Sequence, residues 1–365
     1  MSEVPFILWL DESSAAGNPL LGGKFANLGE MTAAGFAVPP GFGITTTAYR
    51  YFLRSAGLED EARRVRAAAP GLQLSEIRRE TAVLLAGIAN APFPPDLEAL
   101  VRENYARLES RLGVADVPVA VRSSGESEDL AGASFAGQYD SFLWICGADA
   151  LLVHVRACWA GMFGEAVLSY RQNGDTVISQ GDFAMCVGVQ HMVQARAAGV
   201  LFTLDPITGD RSKMVLEACW GLGEGVVKGD VTPSRFTVDK VTMELIKRDV
   251  TPQTEEYRFE PGAAAVRLAP IEAQRQGSPC VSDDEVRTLA TLAKRIETTR
   301  GAPQDIEWAV SHRGDVWVLQ VRPETVWSRR ERTPLVTASR SPVAHVLSRL
   351  SGVKVTRSTG SPSKP

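Results

Sequence analysis

The run from Asp305 to Pro323 constrains the fold more than any other stretch of the chain. Two segments of alternating character, starting at Asp305 and Asp315, flank the polar pair Arg313-Gly314. Alternation of period two marks a strand, and a glycine-containing break between two such runs marks a hairpin. With Arg313-Gly314 as a two-residue loop, Glu307 falls opposite Gln320. The same alternation turns Glu307, Gln320 and Arg322 to one face and Ile306, Trp308, Leu319 and Val321 to the other. Cross-strand Cβ atoms lie about 5 Å apart. A carboxylate, an amide oxygen and a guanidinium therefore share one small patch. Two oxygens beside a fixed cation suit a hydrated Mg²⁺ bridging nucleotide phosphates. The alternative is the solvated polar face of an ordinary antiparallel hairpin.

A chain of 365 residues can bury a sizeable core in two or three lobes. Its composition, 44% apolar and 22% charged, is that of a soluble globular protein. The net charge of -4 gives no reason to expect nucleic acid or an anionic membrane as partner. No apolar run approaches the roughly 20 residues that span a bilayer. The stretch Met1 to Glu12 carries acids and lacks the basic start of a secretory leader. Cys146, Cys158, Cys186, Cys219 and Cys280 are scattered, with no C-x-x-C pair. They read as reduced, buried residues of a cytoplasmic protein, not as zinc ligands or disulfides.

The order of elements points to an α+β fold with antiparallel strands, because strands and helices do not alternate as βαβ units. A short apolar run over residues 4 to 10 reads as a strand. The loop Gly17 to Gly23 enters a helix from about Phe25 to Ala34 that closes on Gly35. Residues 45 to 115 read as helical, split at Pro92 to Pro95. Strands are expected at Val117 to Val121, Tyr139 to Ile145, Met185 to Val193, Gly199 to Thr203, Met214 to Ala218 and Phe236 to Val238. A helix with Val153, Ala157, Trp159 and Ala160 follows the second of these. Another, from Asp283 to Thr299, leads into the closing hairpin. The nucleotide-binding domain is expected over 1–328, with a lobe boundary near 185–200. Residues 329–365, rich in Arg, Ser, Thr and Pro, read as a mobile tail or linker.

Several further segments have chemical character, each with a plainer alternative. Gly22-Gly23-Lys24 opens a helix, where free N–H groups, the positive dipole end and a lysine make an anion seat. The alternative is a loop-to-helix turn with a surface lysine. It is not a Walker A loop, since Phe25 stands where Ser or Thr would hold Mg²⁺. Arg122 ends an apolar strand, where it can clamp phosphate oxygens or pair with Glu128 or Asp129. The small-residue loop around Ser134 and Gly137 lets backbone approach a polyphosphate. Gln190 to Val193 can present backbone groups to an adenine, with Met192 packed on the ring, or can be plain core. Glu217 and Glu224 are reserve candidates for ribose or metal, or solvated acids.

Taken in order, Gly22-Gly-Lys24, Leu28-Gly-Glu-Met31, Val38-Pro-Pro-Gly-Phe42, Val121-Arg-Ser-Ser124, Ala133-Ser-Phe-Ala-Gly-Gln138, Gly221-Leu-Gly-Glu224, Asp305-Ile-Glu-Trp308 and Gln320-Val-Arg-Pro-Glu324 form an ordered set. The set resembles the N-terminal nucleotide-binding domain of the phosphoenolpyruvate synthase and pyruvate phosphate dikinase family, which rifampicin phosphotransferase shares. The resemblance covers roughly residues 15 to 328. It implies an ATP-grasp fold, two lobes closing over ATP. It also implies that Lys24, Arg122 and Arg322 hold the triphosphate and carry the catalysis. Gly137 and Ser141 would lie on a glycine-rich lid, Ser134 would offer a hydroxyl to ATP, Gln190, Met192 and Val193 would face adenine, and Glu307 and Gln320 would hold Mg²⁺. At Gly125-Glu-Ser-Glu128 the chain departs from the family's usual Ala-Thr-Ala-Glu, which puts an extra acid near Arg122.

Enzymes of this kind pass phosphate through a histidine on a swivelling domain, in a Thr-Ser-His-Ala-type motif. His154, His191, His312 and His345 sit in no such motif. The resemblance therefore implies a partner subunit that carries the phosphohistidine domain, as in phenylphosphate synthase, with phenol as the expected acceptor. The alternatives are a non-catalytic nucleotide sensor, or the ATP domain of a phosphoenolpyruvate synthase or rifampicin phosphotransferase-like enzyme.

Overall fold

Alternating apolar residues build two antiparallel sheets, and glycines decide how closely a helix approaches them. The computed structural model describes residues 4–69, 72–126, 141–165, 167–169 and 184–327. The expected tail at 329–365 lies outside the described residues. The first sheet has five strands: β1 (Ile7–Trp9), β2 (Gly41–Ile44), β3 (Val119–Gly125), β4 (Ser141–Ile145) and β5 (Met185–His191), in the order β1-β2-β5-β3-β4. The second has six: β6 (Ala195–Phe202), β7 (Lys213–Trp220), β8 (Ser234–Asp239), β9 (Leu245–Asp249), β12 (Gln304–Ser311) and β13 (Val316–Pro323), in the order β13-β12-β6-β7-β8-β9. A separate hairpin pairs β10 (Glu255–Glu260) with β11 (Ala265–Pro270). The chain crosses from the first sheet to the second between His191 and Ala195.

Each sheet hides one face under helices, as amphipathic strands require. Val119, Val121, Val187 and Val189 point into a core shared with α2 (Thr46–Ser55), α3 (Glu59–Ala68), α4 (Leu74–Asn90), α5 (Pro95–Leu112) and α6 (Ala148–Gly161). Tyr49, Phe52, Phe93 and Trp159 fill its centre. The Pro92–Pro95 break ends α4 and supplies Pro95 to the first turn of α5, where a missing N–H costs no helical bond. The second core sets Ile306, Trp308, Val310, Val318 and Val321 against Val286, Leu289, Ala293 and Ile296. The latter four lie at helical spacing on α7 (Asp283–Arg300), whose start is fixed by a Ser282–Glu285 capping box. Helix α1 (Gly22–Ala33) contributes Phe25, Leu28 and Met31 to that core and also touches the first sheet.

Several expectations differ from what is observed. Helix α1 begins at Gly22, three residues earlier than expected, after a 3-10 turn over Pro19–Leu21. The hairpin loop is not the two-residue Arg313-Gly314. Pairing ends at Val310↔Val316, and Ser311 closes a wider loop by accepting from the amides of Arg313 and Asp315. Glu307 still lies opposite Gln320, because a bulge between Glu307 and Trp308 absorbs the difference. That bulge moves Leu319 out of the core of Ile306, Trp308 and Val321 and onto a second cluster with Val193, Ala198 and Ala309. Cys146 is exposed, not buried, since it sits past the end of β4 beside the turn at Gly147; all five cysteines are free. β2, β9, β10 and β11 are absent from the sequence reading. Gly41-Phe-Gly-Ile and Glu255-Glu-Tyr-Arg-Phe-Glu are too glycine-rich or too charged to stand out as strands.

The glycines of β2 and β5 are needed for close approach. Gly43 and Gly188 pair in register, and Gly188 pairs on its other side with Arg122. A Cβ at Gly188 would lie 1.8 Å from the Phe25 ring. Phe25 is fully buried and has nowhere to move. Gly188→Ala is therefore expected to destabilise the protein by about 1–3 kcal/mol, the range for overpacking a dense core. A urea midpoint equal to that of the wild type would show that α1 does not rest on β5.

Candidate functional site

Strand β3 sends alternate side chains to opposite faces. Val119 and Val121 enter the helical core, while Ala120, Arg122 and Ser124 face the second sheet. Ser124 Oγ donates to the Leu21 carbonyl at 2.8 Å and accepts from the Phe25 amide at 3.1 Å. One hydroxyl thus anchors the start of α1. Gly22 makes that approach possible. Its φ is +63°, and a Cβ there would lie 2.1 Å from the Ser124 carbonyl oxygen. One of the amides expected to be free in the anion seat, that of Phe25, is therefore committed to Ser124. The far side of α1 is held by Asn27, whose amide donates to the Val321 carbonyl at 3.2 Å and accepts from Arg300 at 2.8 Å. Lys24, half-buried in the first turn of α1, is carried on a helix pinned at both strands that bear the site arginines.

Arg122 crosses to the closing hairpin. Its Nη2 donates to Glu307 Oε2 at 2.9 Å and to Gln320 Oε1 at 2.8 Å, and its Nη1 donates to the Leu319 carbonyl at 2.7 Å. That carbonyl belongs to the bulged residue, so the irregularity in β13 aims a backbone oxygen at the guanidinium. The alternative partners for Arg122, Glu128 and Asp129, lie outside the described residues. The Arg122 side chain retains 12% of its exposure and Glu307 27%, a partly desolvated pair. One step along the hairpin, Asp305 and Arg322 are cross-strand partners joined by a 2.7 Å hydrogen bond from Nε. Burial pushes the Asp305 carboxyl up from its ordinary value, and Arg322 opposes that shift.

Residues 18–341 match the family described as pyruvate phosphate dikinase, AMP/ATP-binding domain. The chain belongs to that family. A probable phosphoenolpyruvate synthase of Staphylothermus marinus is 38% identical over 364 residues, covering 91% of this chain and 43% of that one. The phosphoenolpyruvate synthase of Aeropyrum pernix is 35% identical, covering 89% of this chain and 43% of its own length. The chain thus spans less than half the length of these relatives. Among solved structures, D-alanyl-alanine synthetase A from Vibrio cholerae matches over 60% of this chain and 54% of its own, at 11% identity and a TM-score of 0.23. That likeness is too slight to bear on fold or function.

The remaining candidate residues of this dikinase-family domain fall in three places. Ser141 is exposed and pairs in register with Arg122. Ser134 and Gly137 lie outside the described residues. Gln190 is buried in register between Gly41 and Ala120, and its side chain donates to the Pro39 carbonyl at 3.4 Å. Met192 donates its amide to the Pro118 carbonyl and packs with Ala120 and Leu222. Val193 packs with Ala198 and Ala309 on the other sheet. Both reserve acids hold partners within the protein: Glu217 pairs with Arg235 at 2.6 Å and Glu224 with Lys228 at 2.7 Å. Burial lowers the pKa of His191 beside this junction, because desolvation disfavours its charged form.

Sequence reasoning gave Asp305, Ser124 and Asn27 no role. Asp305 was legible, since period two places it on the face of Glu307. The other two act through contacts with residues about 100 and 300 positions away, and no local pattern marks them. Among the described residues no group of three or more His, Cys, Asp or Glu is gathered to hold a metal. Glu307 and Gln320 do aim one oxygen each at the same Arg122 nitrogen, so the two can share a cation. A pair of oxygens suits Mg²⁺ only when substrate phosphates and water complete the shell.

Asp305 yields a pH prediction. Between the ordinary carboxylate value and its raised value, the folded protein holds a proton that the unfolded chain has released. Stability attributable to Asp305 then falls as pH rises through that window. Asp305→Asn is expected to remove this falling component. Urea unfolding of both proteins from pH 3 upward checks it; parallel curves throughout would contradict the burial argument.

Proposed function

We propose that the chain is an ATP-grasp nucleotide module of a dikinase, with ATP lying along β3 and β12. The observation that carries this reading is a matched gradient on the two facing strands. On β3 the order is Ala120, Arg122, then Ser124 with its grip on α1. On β12 it is Ala309, Glu307, Asp305. The Arg122–Glu307 contact aligns the middles. Consecutive residues Met192 and Val193 join the two apolar ends, and α1 bonds to Ser124 at the polar end of β3 and to Val321 of β13, next to Arg322, the partner of Asp305. An apolar slot at one end suits a base, and converging cations at the other suit a triphosphate.

In this reading Lys24, Arg122 and Arg322 neutralise charge on the transferring group, which is the main contribution a protein makes to phosphoryl transfer. Glu307 and Gln320 would hold Mg²⁺, which when bound offsets phosphate charge. A histidine of a partner subunit attacks the β-phosphorus in line. The bond to the α-phosphate breaks, AMP leaves, and the β,γ-pyrophosphoryl group rides on the histidine. Water then releases inorganic phosphate, and the remaining phosphoryl group passes to an acceptor. The names of the relatives favour pyruvate as that acceptor; phenol is the acceptor the sequence resemblance favoured. Supplying a histidine-bearing partner with each in turn separates them.

Arg322→Ala is expected to lower partner-dependent AMP formation by about 10²–10³, the usual cost of removing one such donor. Fold retention is checked by circular dichroism. Wild-type rates of AMP release in a folded Arg322→Ala protein would end this reading. Tight ATP binding without turnover in the wild type, partner present, would make the module a sensor instead.

A further inference from the structure

Trp144 has a backbone conformation that its side chain does not favour. Its φ is +63°, in the left-handed region where glycine and asparagine are at ease and an indole is strained. It sits in a bulge of β4, where the pairing with β3 shifts between Val119 and Val121. Bulges next to sites re-aim side chains, and strain kept in a fold calls for a compensating contact. The contact is present. The Trp144 indole stacks on Phe259 at 4.9 Å between ring centroids and 10° between planes.

Phe259 belongs to the β10–β11 hairpin, which is part of neither large sheet. The root of that hairpin is fixed to the second lobe. Gly221 bridges Tyr257, and the Leu222 amide donates to the Tyr257 carbonyl at 2.9 Å. Buried Glu256 pairs with Arg275 at 3.2 Å, and Arg275 lies over Trp220. The hairpin therefore starts on one lobe and reaches the other through Trp144. Beneath it Ala120, Met192 and Leu222 are buried together, with Trp144 and Tyr257 packed against them. This is the apolar end of the gradient.

We infer that the Trp144–Phe259 stack is a clasp that holds the two lobes together over the base end of the nucleotide site, making Trp144 a positioning residue for the base. The base-end role rests on the proposed ATP reading; the clasp itself does not. The clasp preorganises the apolar slot, so its loss weakens binding of a nucleotide but not of a bare triphosphate.

Trp144→Asn removes the indole while keeping a residue that tolerates the left-handed backbone, and Phe259→Ala removes the other ring. Hydrogen exchange on the ligand-free full chain is expected to accelerate in residues 255–270 in both variants and to stay unchanged in β12 and β13. Calorimetry is expected to show about tenfold weaker MgATP binding, the upper range for an aromatic pair, with inorganic tripolyphosphate binding unaltered. Unchanged exchange in both variants would overturn the clasp. Accelerated exchange with unchanged or tighter MgATP binding, or equal losses for MgATP and tripolyphosphate, would overturn its role at the base. A wild-type protein that binds no ATP would refute the nucleotide reading and the base-end role with it, while exchange would still decide the clasp.

Discussion

The arrangement of the two lobes depends on the guanidinium of Arg122. It leaves the first sheet and satisfies three acceptors on the second: a carboxylate, an amide oxygen and a backbone carbonyl. Guanidinium donors fit such a set because they are planar and diverge in fixed directions. Partly buried charge is costly without partners, so each lobe supplies what the other needs. A lysine at position 122 could not reach three acceptors in one plane. The geometry brings β3 and β12 into one frame, and the graded surfaces of the two strands coincide only because that frame is fixed.

Helix α1 is the second tie. It lies between the sheets because Gly188 leaves room for the Phe25 ring, Gly43 leaves room for Leu21 in the turn before the helix, and Gly22 lets the first turn meet β3. Phe25 fills the resulting trough. Ser124 and Asn27 fix the helix along its axis. Lys24 therefore has its position set by contacts on both lobes. Rigid placement of this kind is what charge neutralisation in a site demands, since misplacement of a donor costs most of its effect.

The polar patch of the closing hairpin was legible in the sequence, though for a partly wrong reason. A two-residue loop and an unbroken ladder give Glu307 opposite Gln320. The protein has a wider loop and a bulge, whose offsets cancel at that pair and leave the same register. They do not cancel at Leu319, which changes face and turns its carbonyl toward Arg122. Alternation predicts faces only while the ladder is regular. The β10–β11 hairpin escaped because charges crowd the two aromatics of β10, and a single bridge from Tyr257 to Gly221 is its backbone pairing with the rest of the described residues outside its own ladder.

By itself the sequence determined which residue types occupy the strands, the period that groups Glu307, Gln320 and Arg322, the proline break between α4 and α5, and the ordered motifs that mark the family. These follow from local stereochemistry and chain order, which any window of the sequence contains. Only the tertiary structure decided that Arg122 meets Glu307, 185 positions away, that Ser124 and Asn27 hold α1, and that Trp144 leans across to Phe259. Those contacts join segments whose spacing carries no periodic signal. They exist because two separate sheets bury α1 between them and satisfy the charges left on their facing surfaces.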